Sequence, residues 1–139
     1  MAYTKEGRYL YPVSCKVAIF SPDRNSILVI NLYKPGTKIT DQGLPGGHID
    51  QNEEPIEALK RELLEELAID DIYDIILKDA WFHPGGKLVL GYTAKRDSLE
   101  LPQPPQPDVE FGEWVSLDSV DGIMNNTYTE FIQKYSKIK

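Results

Sequence analysis

The sequence predicts an α/β domain with a mixed β-sheet and two principal helices. The length of 139 residues is about that of one domain, so residues 1–139 are expected to form a single domain. Several apolar runs rich in β-branched residues have the length of strands, and an amphipathic helix lies between them. Hydrophobic residues make up 41% and charged residues 27% of the chain, which is typical of a globular protein.

The first two strands are predicted at Val13–Phe20 and Ser26–Tyr33. Residues 21–25 have the composition of a turn, so the two strands should form a hairpin. Residues 34–43 are polar and include a proline and a glycine, which predicts a loop.

The first helix is expected to begin near Pro55, because proline suits the first helical position, where no N–H is needed. The helix is preceded by a possible capping residue and two negative charges, which interact favourably with the positive end of the helix dipole: Asn52, Glu53 and Glu54. Apolar residues at spacings of three and four predict one buried stripe: Ile56, Leu59, Leu63 and Leu67. Residues 69–71 should end the helix.

Three more strands are predicted at about residues 72–82, 87–95 and 109–116. A proline-rich stretch at residues 101–107 predicts a stiff, extended connection before the last of them. A final amphipathic helix is expected within residues 117–135. Its inner face should consist of Tyr128, Phe131, Ile132 and Tyr135.

The charge balance excludes several kinds of function. The chain has 15 Lys and Arg against 22 Asp and Glu, a net charge of −7, so we expect no nucleic-acid polymer as a partner. The single Cys15, expected to be buried, excludes an internal disulfide and a multi-cysteine zinc site. No apolar run is long enough to span a membrane, and no signal peptide is recognisable, which predicts a cytoplasmic protein without a membrane partner. A phosphorylated substrate would then need a divalent metal to offset its charge.

The first helix also carries a patch of three glutamates. Glu62, Glu65 and Glu66 stand at positions i, i+3 and i+4, which places their carboxylates on one patch of helix surface. Such a patch is either a solvated acidic face or a site for a hard divalent cation, which prefers oxygen ligands.

A wider spacing decides between these alternatives. Gly47 is followed after five residues by Glu53 and after seven more by the run Arg-Glu-Leu-Leu-Glu-Glu-Leu-Ala-Ile at residues 61–69. This pattern resembles the Nudix box, Gly-x5-Glu-x7-Arg-Glu-U-x-Glu-Glu-x-Gly-U, where U is a bulky aliphatic residue. Ala68 replaces the usual glycine near the helix end, where a left-handed conformation is often needed. The resemblance implies the Nudix fold, a mixed sheet sandwiched between helices.

The resemblance also implies roles for individual residues. Glu62, Glu65 and Glu66 would hold Mg²⁺, or Mn²⁺ in its place, together with the backbone carbonyl of Gly46. Glu53 and Arg61 are expected to pair, with Arg61 also steering Glu62. The general base implied is Glu110, with Asp108 or Glu62 as alternatives.

The substrate is predicted less closely than the metal site. Lys34, Trp81 and Phe82 are candidates for contacting a nucleotide substrate through its phosphate or base. The implied reaction is hydrolysis of a pyrophosphate bond in a nucleoside diphosphate linked to another group, such as ADP-ribose, NAD(H) or a nucleotide sugar. The alternatives are a (d)NTP pyrophosphohydrolase and a non-catalytic nucleotide-binding module. The protein is expected to be a monomer or a homodimer.

Overall fold

A computed structural model describes residues 3–5, 8–33, 40–102, 111–122 and 126–136. The strands are β1 (Tyr3–Lys5), β2 (Arg8–Leu10), β3 (Val13–Phe20), β4 (Ser26–Tyr33), β5 (Thr40–Gly43), β6 (Gly46–His48), β7 (Tyr73–His83), β8 (Lys87–Lys95) and β9 (Phe111–Ser116). The helices are α1 (Pro55–Leu67), a 3₁₀ helix (Leu117–Gly122) and α2 (Asn126–Ser136). β1 and β2 form a separate two-stranded sheet.

The main sheet is mixed, as predicted. Its strands run in the order β5-β4-β3-β8-β7, and β3 and β8 are parallel along their whole length, whereas the other pairs are antiparallel. The hairpin of β3 and β4 is paired only at Phe20 and Ile27. Beyond that pair the two strands diverge, and β6 pairs with the edge of β3 while β5 pairs with the edge of β4. The chain between β5 and β6 therefore crosses a split in the sheet, and this crossing delivers Gly46 and Gly47 to the edge of β3.

Both faces of the sheet are covered, which gives the predicted α/β/α sandwich. On one face α1 packs against alternate residues of β3, β4 and β8; the buried cluster includes Val17, Ile19, Leu28, Leu59, Leu63 and Leu67. On the other face α2 and the 3₁₀ helix cover a second cluster that includes Ala18, Ile27, Val29, Val120, Phe131 and Ile132. Cys15 is buried in the first cluster, as predicted. No helix of the described residues is long and apolar enough to span a membrane.

The first helix begins at Pro55 as predicted, but its buried stripe differs. Ile56 is 40% exposed, and Ala58 is buried instead, beside Leu59. Ile56 was therefore wrongly assigned: it lies on the same face as Leu63, but in the first turn, at the end of the helix, where its side chain is less covered. Ala68 ends the helix in the left-handed region, with φ 56° and ψ 35°, and its N–H donates to the carbonyl of Leu64. The conformation expected for the family's glycine is thus kept by an alanine.

Other elements differ from prediction because contacts with distant parts of the chain, rather than the local sequence, determine their structure. The predicted loop at residues 34–43 ends in strand β5, which is polar and is held by its hydrogen bonds to β4. The last helix divides into the 3₁₀ helix and α2, with the predicted inner residues of α2 packed in the second cluster. Residues 109–110 of the predicted last strand lie outside the described residues.

Candidate active site

Arg61 joins the loop before α1 to the middle of the helix. Its Nε donates to Oε2 of Glu53 at 2.8 Å, and its Nη2 donates to Oε1 of the same carboxylate at 3.1 Å. The predicted pair of Glu53 and Arg61 is therefore present, in the bidentate geometry that suits a guanidinium. The Arg61 hydrogen bond, helped by the N–H of Asp50, holds the pKa of the Glu53 carboxyl below its usual range, and the same pairing raises the pKa of Arg61.

The remaining donors of Arg61 reach the acidic patch. Its Nη1 lies 3.1 Å from Oε1 of Glu62 and 3.3 Å from Oε2 of Glu65. Its Nη2 also donates to the backbone carbonyl of His48 at 3.0 Å. Because one nitrogen contacts both carboxylates, Glu62 and Glu65 converge on one point beside the loop. Arg61 thus contacts Glu62, the side chain that it is predicted to steer.

Gly46 and Gly47, at the start of β6, bring backbone atoms against the glutamates of α1. A Cβ on Gly47 would lie 2.5 Å from Cδ of Glu62, so only glycine lets this carboxylate rest against the loop. Gly46 has φ +134°, and a Cβ there would collide with the carbonyl of Cys15. The N–H of Gly46 donates to Oε1 of Glu66 at 3.0 Å. A side chain at Gly46 would therefore collide with backbone, whereas a side chain at Gly47 would displace the Glu62 carboxylate.

Lys16 is a site residue that the sequence reasoning missed. It pairs with Gly46 across β3 and β6, and its Nζ donates to the Gly46 carbonyl at 3.4 Å. Burial lowers the pKa of Lys16, and the negative charges of Glu66 and Glu62 oppose this effect. The sequence offers one signal, since Lys16 is the one charged residue of its strand, but the pairing of β3 with β6 that brings it to Gly46 is not visible in the sequence.

Comparison with known proteins identifies the family. The family model of the NUDIX domain matches residues 10–135, which include the glycine loop, Arg61 and all three glutamates of α1. The chain belongs to the Nudix family.

Individual relatives agree with this Nudix assignment. A Bartonella henselae protein named RNA pyrophosphohydrolase is 52% identical over a match that covers 58% of this chain and 60% of that protein. The match thus spans less than two thirds of the relative's length. A NUDIX-family hydrolase from Clostridium perfringens superposes with a TM-score of 0.70 at 19% identity, covering 91% of this chain and 97% of its own. A C. elegans Ap4A hydrolase superposes with a TM-score of 0.71 at 19% identity, covering 88% and 95%.

The donor set of this Nudix site fits a divalent metal, the kind of ion that the family generally uses. Among the residues that the structure describes, no three His, Cys, Asp or Glu side chains form a preassembled metal site. The carboxylates of Glu62, Glu65 and Glu66 instead contact Arg61 or the Gly46 N–H. All of them, like the Gly46 carbonyl, offer the hard oxygen atoms that such cations prefer. The absence of a Cβ on Gly47 also keeps Glu62 against the loop backbone.

The predicted substrate residues lie on opposite sides of strand β7. Trp81 is half-buried beneath α2, with its ring 5.3 Å from that of Phe131 and 6.4 Å from that of Tyr128. It lines a pocket of about 180 Å³ with His83, Pro84, Thr127 and Tyr128. Phe82 is 63% exposed and contacts Tyr11 edge-on at 5.1 Å. The two aromatic residues therefore do not form one platform.

The remaining predicted residues are the candidates for the general base and one candidate substrate contact. Glu110, its alternative Asp108, and Lys34 lie outside the described residues. Their roles as general base and substrate contact stay predictions.

Proposed function

We propose that the protein is a Mg²⁺-dependent hydrolase that cleaves a pyrophosphate bond in a nucleoside diphosphate linked to another group, with the whole chain acting as one domain. The observation that supports this most directly is the convergence of Glu62 and Glu65 on Arg61 beside the Gly46–Gly47 backbone, with Glu66 bonded to the Gly46 N–H. This arrangement concentrates carboxylates at one point of the surface, where a divalent cation would offset their repulsion. Membership of the Nudix family and the name of the Bartonella relative support an enzyme rather than a binding module.

The protein's own groups position the reaction. Glu62, Glu65, Glu66 and the Gly46 carbonyl would hold Mg²⁺, with Mn²⁺ as a substitute. When bound, the metal supplies positive charge for the phosphoryl oxygens and makes a water molecule more acidic. Arg61 holds Glu62 and Glu65 by hydrogen bonds to both carboxylates. Its bidentate hydrogen bond to Glu53 fixes the position of the guanidinium itself.

The general base is proposed to be Glu110, with Asp108 and Glu62 as alternatives. A Glu110→Gln variant should slow kcat more than it raises KM, because the group acts on the attacking water rather than on binding. Asp108→Asn serves as the comparison. If Glu110→Gln is silent and Asp108→Asn is slow, the base is Asp108; if both are silent, it is Glu62.

A second substrate class is favoured by one relative. The printed name of the Bartonella protein makes an RNA 5′-polyphosphate end a candidate substrate here as well. The net charge of −7 argues against an extended contact with an RNA backbone. If RNA is the substrate, the protein would therefore contact only its short 5′ end. A (d)NTP substrate is the other alternative.

One panel assay separates these candidates. The purified chain is incubated with Mg²⁺ and ADP-ribose, NAD(H), nucleotide sugars, NTPs, dinucleoside polyphosphates or a 5′-triphosphorylated oligonucleotide, and the products are resolved chromatographically. Two monophosphate products from an ADP-ribose-type substrate would support the proposal. Pyrophosphate released from NTPs would favour the (d)NTP reading, and pyrophosphate from the oligonucleotide would favour the RNA end. Nucleotide binding without any turnover would overturn the enzyme assignment.

A further inference from the structure

Lys16 places a cation at the backbone carbonyl that the family resemblance assigns to the metal. Its strand lies in the middle of the sheet, and Lys16 is paired with Gly46 on one side and with Gly91 on the other. Its backbone is therefore paired on both sides. From this position Nζ donates to the Gly46 carbonyl at 3.4 Å.

The charges around Lys16 come from several elements. Glu66 and Glu62, both on α1, attract the ammonium, and Lys87 at the start of β8 repels it. Glu66 also accepts from the N–H of Gly46. The peptide group of Gly46 is thus held from both ends, by a carboxylate at its N–H and by an ammonium at its carbonyl.

This arrangement explains why a lysine is tolerated in an apolar strand. A partly buried ammonium is destabilising unless it has hydrogen-bond and charge partners, and the carboxylate patch needs a positive charge in turn. The contact of Lys16 with the Gly46 carbonyl, beside Glu66 and Glu62, meets both requirements. A divalent cation at the same carbonyl would remove the acceptor of Lys16 and repel its ammonium at close range.

We propose that Lys16 supplies positive charge at the metal site. Its ammonium group donates to the Gly46 carbonyl before metal binds, and the side chain then moves so that the same group donates to a phosphate oxygen of the substrate. This inference rests on the proposed function, because it requires a metal and a phosphorylated substrate at the same place. It makes Lys16 a residue that weakens metal binding and strengthens substrate binding. A purely structural lysine would do neither.

The first test measures metal binding without nucleotide. Free Mn²⁺ is followed by its electron paramagnetic resonance signal during titration of wild type, Lys16→Met and Lys87→Met. Lys16→Met should bind Mn²⁺ at least about fivefold more tightly, since it removes a unit charge a few ångströms from the ion. Lys87→Met is the matched control, because Lys87 contributes charge but does not contact Gly46, and it should change Mn²⁺ affinity less than twofold.

The second test separates KM from kcat at saturating Mg²⁺ on whichever substrate the panel identifies. Lys16→Met should raise KM about tenfold, as expected for loss of a charge-assisted hydrogen bond to phosphate, with a smaller change in kcat. Lys16→Gln is a second variant that keeps a donor for the carbonyl but carries no charge. It should tighten Mn²⁺ binding as Lys16→Met does, and thermal denaturation of both variants verifies that they are folded.

The outcomes distinguish the two proposals. Unchanged Mn²⁺ affinity in both folded Lys16 variants, or an equal change in Lys87→Met, would overturn the role of Lys16 and leave the hydrolase intact. Tighter Mn²⁺ binding with an unchanged KM would overturn the transfer to substrate. If the wild type binds Mn²⁺ but hydrolyses nothing, the proposed function fails. The Mn²⁺ titrations then still decide whether Lys16 weakens metal binding at the Gly46 carbonyl.

Discussion

The loop–helix unit of residues 46–67 and the face of the sheet beneath α2 are stabilised in different ways. On the exposed side of the loop–helix unit, Arg61 makes polar contacts with residues close to it in sequence, such as its fork on Glu53 eight positions earlier. Beneath α2 the contacts are aromatic, and they include residues far apart in sequence. There, Trp81 of β7 packs on Phe131, whose ring lies 5.1 Å from that of Tyr135.

We therefore expect the polar side chains of the loop–helix unit to matter for activity and the aromatic residues beneath α2 to matter for stability. The glutamates and Arg61 are partly exposed and contribute little apolar burial, so changing them should reduce activity and leave the fold standing. The aromatic residues beneath α2 fill the core, so changing them should reduce stability first. Four predictions test this separation.

The largest effect is expected for Glu66→Gln. Removing one carboxylate from the proposed metal set should lower kcat roughly a thousandfold, because a metal ion supplies several kcal/mol of charge stabilisation in the transition state. Thermal denaturation should show a folded protein. Glu57→Gln, an exposed glutamate in the first turn of α1, is the control and should keep full activity. Undiminished activity of Glu66→Gln would remove the basis for the metal-site assignment.

A pair of glycine substitutions compares the two regions directly. Gly47→Ala should displace the Glu62 carboxylate and lower kcat about a hundredfold, the usual cost of a misplaced catalytic group, with little change in stability. Gly91→Ala would place a Cβ 2.6 Å from the Trp81 ring and should cost about 1–3 kcal/mol of unfolding free energy by overpacking. Urea unfolding and steady-state kinetics measure both variants, and a reversed pattern would break the comparison.

A smaller effect is expected from acid. The pKa of Glu53 is lowered in the folded state, so the stability it contributes is present above its ordinary value of 4.5 and is lost as pH falls through the lowered value. Unfolding free energies of wild type and Glu53→Gln should therefore differ at pH 6 and converge below pH 4.5. A difference that stays constant from pH 6 to 3 would show that the pair with Arg61 does not stabilise the fold.

The smallest effect concerns the end of α1. Ala68 has φ 56° and ψ 35°, a conformation that disfavours a Cβ, so Ala68→Gly should stabilise the protein by about 1 kcal/mol. Ala58→Gly, in the interior of the same helix, should destabilise it instead. A loss of stability in Ala68→Gly would mean that the chain has adapted to alanine at this position.

Elements with a strong local signal were predictable from the sequence. Strands β3, β4 and β8 are apolar and β-branched, and α1 has a proline start and a clear period, so their bounds agree with the structure. Strands β5 and β6 escaped prediction because they are short and consist of polar residues and glycine. They exist because β3 and β4 diverge after one pair and leave open edges.

The same distinction holds within the site. The fork of Arg61 on Glu53 follows from motif spacing along a loop and a helix, so the resemblance was enough to predict it. Lys16 was missed because its role depends on the pairing of β3 with β6, which no local pattern indicates. The orientations of Trp81 and Phe82 were likewise undetermined, since they depend on which face of β7 is covered by α2.

The parallel pairing of β3 with β8 also sets the order in which the molecule can fold. It joins Val13 to Leu88 and Phe20 to Lys95, residues separated by more than half of the chain, whereas the loop–helix unit closes over a short distance. Closing the longer loop has the larger entropic cost, so the central pair should form late. During synthesis on the ribosome, β3 can pair early with β4 and β6, but its other edge stays unpaired until Lys95 has been made. An unpaired apolar edge of this kind promotes aggregation.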